Sequence, residues 1–107
     1  MLDINTISKR YFEVNLSVTN DDGETLDVHL EVEPPKLKVL KKILALSKTK
    51  SAEAMNDLSE AVRMILSKNK TGYKVPIELI DELDLDQMVE VINEFFKWLG
   101  ETRNSPN

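Results

Sequence analysis

A chain of 107 residues that is 41% apolar can fill one hydrophobic core but not two. It has no cysteine, which excludes disulfides, thiolate metal sites and a cysteine nucleophile. Fourteen Lys and Arg against nineteen Asp and Glu leave a net charge of −5. That balance argues against a nucleic-acid binder, whose affinity rests on neutralising phosphates. Met1-Leu2-Asp3 opens on an acid with no long apolar run behind it, so the sequence predicts neither signal peptide nor membrane span, and a cytoplasmic protein.

The predicted elements begin with a hairpin. Phe12, Val14, Leu16 and Val18 alternate with Glu13, Asn15 and Ser17, the period of a half-buried strand. Asn20-Asp-Asp-Gly23 is a turn of residues that tolerate left-handed backbone. Leu26, Val28, Leu30 and Val32 then alternate with Asp27, His29, Glu31 and Glu33. Pro34-Pro35 ends the second strand and predicts a helix from about Pro35 to Leu46. Its apolar half carries Leu37, Val39, Leu40, Ile43, Leu44 and Leu46; Lys38, Lys41 and Lys42 lie opposite.

Ser51 is the expected N-cap of a second helix that ends near Ser67. Its stripe is Met55, Leu58, Ala61, Val62, Ile65 and Leu66. Lys68-Asn-Lys-Thr-Gly72 reads as a loop. Pro76 should open a short third helix through Leu83, with Ile77, Ile80 and Leu83 inward. Asp84 followed by Gln87 has the spacing of a capping box, with Leu83 and Met88 as its staple. The last helix is expected to run to about Leu99, on a stripe centred on Met88, Ile92, Phe95 and Leu99, and to stop at Gly100. The fold class predicted is α+β: an N-terminal antiparallel hairpin packed on three to four helices. It forms a single domain over 1–107, with 1–10 and 101–107 as flexible ends.

No set of residues proposes catalysis. His29, the lone histidine, falls on the polar face of its strand and reads as a solvated side chain. Asp81, Glu82, Asp84 and Asp86 are dense enough to suggest Ca²⁺ or Mg²⁺, but they lack the glycine and alternate spacing of a calcium loop, and acids at a helix start have a role in capping it. Lys70-Thr71-Gly72 lacks the residue order of a phosphate loop. The sequence therefore predicts no catalytic residue, no metal and no cofactor.

Charge is unevenly spread. Six lysines and no acid lie between Lys36 and Lys50, and eight acids with one lysine between Glu78 and Glu101. Two solvated faces of opposite sign are one reading; a charged docking surface, which steers and selects partners, is another. Lys38, Lys41 and Lys42 are accordingly candidate protein-binding residues. Trp98, at the edge of the last stripe, is a rim core residue or a binding anchor. Met64, off its helix's stripe, and Tyr73, in a loop, are further candidates.

The hairpin, Glu33-Pro-Pro-Lys-Leu-Lys-Val-Leu-Lys-Lys-Ile43, the middle helix, Lys68-Asn-Lys-Thr-Gly72 and Phe95-Phe-Lys-Trp-Leu99 together resemble small phage and prophage proteins of Gram-positive bacteria. These are similar to the tail assembly chaperones of long-tailed phages, and the resemblance spans roughly Tyr11 to Leu99. It implies a non-catalytic protein of the host bacterial cytoplasm that binds the tape measure protein and assists assembly of tail tube protein around it. Self-association is compatible with that role, and several copies along one tape measure would gain avidity. The alternatives are another phage protein-binding module, such as a regulator or host-factor inhibitor, and a small hydrolase or nuclease using the acidic cluster.

Overall fold

The computed structural model describes residues 1–4, 10–48 and 54–104. Its elements are β1 (Phe12–Thr19), β2 (Thr25–Val32), α1 (Leu37–Ser47), α2 (Ala54–Ser67), α3 (Ile77–Ile80) and α4 (Leu85–Asn104). The α+β class and the order of hairpin then helices are as the sequence predicts.

β1 and β2 pair antiparallel from Phe12↔Val32 to Thr19↔Thr25. The turn closes with Asn20 N–H donating to Glu24 O at 2.9 Å and Gly23 N–H donating to Asn20 O at 3.0 Å. Gly23 sits at φ 82°, where a side chain would be strained, so the loop is a tight turn followed by a left-handed glycine. The Asn20 side chain accepts the N–H groups of Asp22 and Glu24 and completes the turn.

One apolar face of the hairpin meets the helices. Leu16, Val18, Leu30 and Val32 are buried on it, whereas Leu26, near the hairpin tip, is 49% exposed. α2 is central: it packs on α1, α3, α4 and β2. Ile43, Ala61, Val62, Ile65, Leu66, Ile80 and Phe95 are all at or within 1% of complete burial and belong to one apolar cluster.

Several helix boundaries differ from expectation. α1 starts at Leu37, because Lys36 is still extended at ψ 154° and serves as N-cap; Pro35 lies one residue outside. Leu37, in the first turn, is 66% exposed. The predicted Ser51 cap lies outside the described residues. α3 is one turn, with Pro76 as its extended N-cap. It then tightens into three-residue turns, Glu82 N–H to Leu79 O and Leu83 N–H to Ile80 O. Leu79 joins Ile80 and Leu83 in the core, whereas Ile77, the first residue of this single turn, is 40% exposed, contrary to the inward position predicted for it: the core reaches the end of the turn and not its start.

α4 starts as predicted. Gln87 N–H donates to Asp84 Oδ1 at 2.8 Å and Asp84 N–H donates to Gln87 Oε1 at 2.9 Å, a reciprocal capping box. The staple residues Leu83 and Met88 are both buried in the core. Asp84→Ala is expected to destabilise the fold by about 1 kcal/mol, read as a lower urea midpoint at unchanged slope. The predicted stop at Gly100 is not where α4 ends. Gly100 is not among the residues with positive φ, and the helical backbone continues through Asn104. A helical glycine costs only about 1 kcal/mol relative to alanine, so it ends a helix only when it turns left-handed.

Candidate protein-binding surface

The predicted binding residues do not converge on one spot. Lys38, Lys41 and Lys42 are exposed on α1, together with Lys36 at its N-cap. α1 packs on α2, so its lysines project from the side of the molecule built by the helical pair. Glu60 on α2 feels the positive charge of Lys42.

Glu60 itself is held by Arg63. Arg63 donates Nε–H to Oε1 at 2.6 Å and a second N–H to Oε2 at 2.7 Å, a bidentate pair one helical turn apart. This pair holds the Glu60 carboxyl below, and the Arg63 guanidinium above, their ordinary values. Since the folded carboxyl is depressed, its stabilising contribution is present at neutral pH and lost as pH falls through the folded value. Both side chains are about one-third exposed, at 34% and 37%, so the contribution is small. Glu60→Gln should flatten the acid side of the stability–pH curve, measured by urea denaturation from neutral to acidic pH, by a few tenths of a kcal/mol.

Trp98 is half-buried and packed against its own chain. Phe12 stacks on it at 5.6 Å between centroids, Phe95 lies at 6.0 Å, and the Arg10 guanidinium sits 4.1 Å from its ring centroid. Arg10 also donates to Trp98 O at 2.8 Å and Leu99 O at 3.2 Å, joining the segment just before β1 to the C-terminal half of α4. Burial lowers the Arg10 pKa, partly opposed by Glu101. These contacts favour the rim-core reading of Trp98 over the anchor reading. Met64 is likewise partly buried against the core. Tyr73 is 39% exposed and lines a cleft beside Leu26–Leu30 of β2.

His29 lies on the exposed face of the hairpin, as predicted. Its Nδ1 meets the side-chain oxygen of Asn15 opposite, and its Nε2 lies 3.3 Å from Glu13 Oε1. Beside it the Ser17 hydroxyl donates to Asp27. The acids that begin α4 are exposed, and Asp84 is engaged in capping. Among the described residues no three His, Cys, Asp or Glu are grouped to hold a metal ion, and no helix is long and apolar enough to cross a membrane.

Sequence reasoning missed Asn69, which it placed in a loop. It is 5% exposed, a buried polar residue of the core. Its amide nitrogen donates to Leu66 O at 2.8 Å and Tyr73 O at 2.7 Å; its oxygen accepts Tyr73 N–H at 2.9 Å and the Thr71 hydroxyl at 3.1 Å. The loop so folded turns through Gly72 at φ 75° and lies along β2 through a bridge from Asn69 to Val32. The available signal was an asparagine three residues before a glycine, just after a helix end.

Comparison with known proteins gives no relative: no family model, no curated protein and no solved structure matches the chain.

Proposed function

We propose that this chain is a non-catalytic protein-binding protein, and specifically a tail assembly chaperone that engages the tape measure protein while tail tube subunits assemble. The specific role rests on the sequence resemblance. The observation that carries the binding reading is the lysine face of α1: Lys36, Lys38, Lys41 and Lys42 are all exposed on a chain whose net charge is −5. A concentrated patch opposite in sign to the whole molecule gives it a polarity that orients an acidic partner on approach.

Co-expression with the tape measure and tail tube proteins of the same genome tests the role. The expected result is that one of them co-purifies with this protein or becomes soluble only in its presence. Retention of neither, with no gain in solubility, overturns the role. Charge reversal of Lys38, Lys41 and Lys42 to glutamate should leave the circular dichroism unchanged and slow association with the partner. The effect should shrink as salt rises, since exposed charges are screened over about 8 Å at physiological ionic strength.

A further inference from the structure

The two edges of the hairpin differ. Along β2, Lys70 N–H donates to Glu31 O at 2.9 Å and Glu33 N–H donates to Lys68 O at 2.8 Å, so the segment after α2 covers that edge. These bonds establish the parity of the ladder. Glu31 directs its carbonyl outward, so Glu13↔Glu31 is a non-hydrogen-bonded pair, and Glu13 also turns its N–H and C=O away from its neighbour. By the period of two, Asn15 and Ser17 do the same. Among the described residues the sheet contains β1 and β2 alone, so these outward groups of β1 have no strand partner.

A cleft of about 410 Å³ runs along this edge. Every residue from Phe12 to Ser17 lines it. Successive residues point to opposite faces, so lining by all of them means that the backbone edge forms the wall. The facing wall is one stripe of α4, where Gln87, Glu90, Val91 and Glu94 lie one helical turn apart. Val14, Leu16, Leu83 and Val91 supply apolar contact, and exposed Glu90 and Glu94 supply an acidic rim. Neither glutamate has an ion-pair partner within 4 Å among the described residues.

We propose that this edge takes up an extended, lysine- or arginine-bearing segment of another protein as a third strand. The outward N–H and C=O groups of Glu13, Asn15 and Ser17 would supply the ladder, the apolar contacts would take alternate side chains, and Glu90 and Glu94 would take the basic ones. Charge selects this occupant over a second copy of the chain, which would bring its own Glu13, Glu90 and Glu94 to the same cleft. The inference does not depend on the tail-assembly reading, since it concerns a different face from the lysines of α1.

The test is an NMR titration of the intact protein with an acetylated, amidated peptide that alternates lysine and valine. Amide shifts are expected at Glu13, Asn15 and Ser17 and along Gln87 to Glu94, with slowed hydrogen exchange at the three β1 amides. Methylating the peptide nitrogens that face β1 should weaken binding about tenfold, as should the double variant Glu90→Lys, Glu94→Lys, which should then prefer a glutamate–valine peptide. Asn15→Pro removes an outward N–H and the side-chain contact with His29 but no backbone bond to β2, and should abolish the shifts; if it unfolds, the double variant at exposed positions still decides. Shifts centred elsewhere, or equal affinity for the methylated peptide, would overturn the proposal. So would a dimer that Asn15→Pro dissociates, or exchange protection of the three β1 amides in the free monomer, which would assign the edge to a second copy or to this chain itself.

Discussion

Phe95→Ala is expected to destabilise the protein by about 3–5 kcal/mol, the largest single effect available in this core. Phe95 is fully buried and is the largest of the wholly enclosed side chains. It touches three other rings, with centroids 6.1 Å from Phe12, 5.4 Å from Phe96 and 6.0 Å from Trp98. Phe12 belongs to β1 and the others to α4, so the ring joins the hairpin to the last helix. Truncation removes both transfer free energy and the packing that holds the strand down. A domain of this size has roughly 5–15 kcal/mol in all, so the variant should lose a large share of its stability. Urea denaturation measures the loss, and the near-ultraviolet circular dichroism of Trp98 should weaken in the native baseline. Phe95→Leu should cost much less, because it keeps most of the apolar volume. Equal losses for the two variants would mean that ring geometry, rather than filled volume, holds the hairpin.

Asn69→Ala is expected to cost about 2–4 kcal/mol, far more than an ordinary loop substitution. The change strips four hydrogen bonds at once and leaves the Tyr73 N–H and the Leu66 and Tyr73 carbonyls without their side-chain partner. Asn69→Asp separates donor from acceptor. It keeps the oxygen that receives Tyr73 N–H but aims a carboxylate oxygen at two carbonyls in place of the amide donor. The folded state would then favour the protonated acid, raising its folded pKa above the unfolded one. The variant should gain stability as pH falls through that range and lose it as pH rises, opposite in sign to Glu60. Urea midpoints of the two variants at neutral and acidic pH measure both effects. A neutral Asn69→Ala would mean that the loop is held by its backbone bridge to β2 alone.

Much of the architecture was readable along the chain because it is local. Strict alternation in Phe12–Val18 and Leu26–Val32 defines a strand face whatever it packs against, and Asn20 to Gly23 carry the chemistry of the turn between them. Asp84 and Gln87 form a cap that depends on three residues of spacing. The helix stripes named the core well at their middles, where Ile43, Ile65 and Phe95 are buried, and poorly at their ends, where Leu37 and Met55 overhang it. Periodicity says which side of a helix is apolar but not how far along it the rest of the molecule reaches.

Composition, hydrophobic period and turn chemistry determined by themselves an α+β hairpin-and-helix protein with a lysine face on its first helix. The tertiary structure decided where that pattern is used. It carried α4 past Gly100, packed Trp98 against Phe12 and Arg10, and buried Asn69 as the knot of a loop that covers β2. It also left the outward backbone groups of β1 facing a cleft with an acidic rim. These outcomes depend on partners far away in the chain, as with Arg10 and Trp98, 88 positions apart. A sequence pattern reports the preference of each segment, whereas burial, ring stacking and ladder parity exist only once distant segments meet.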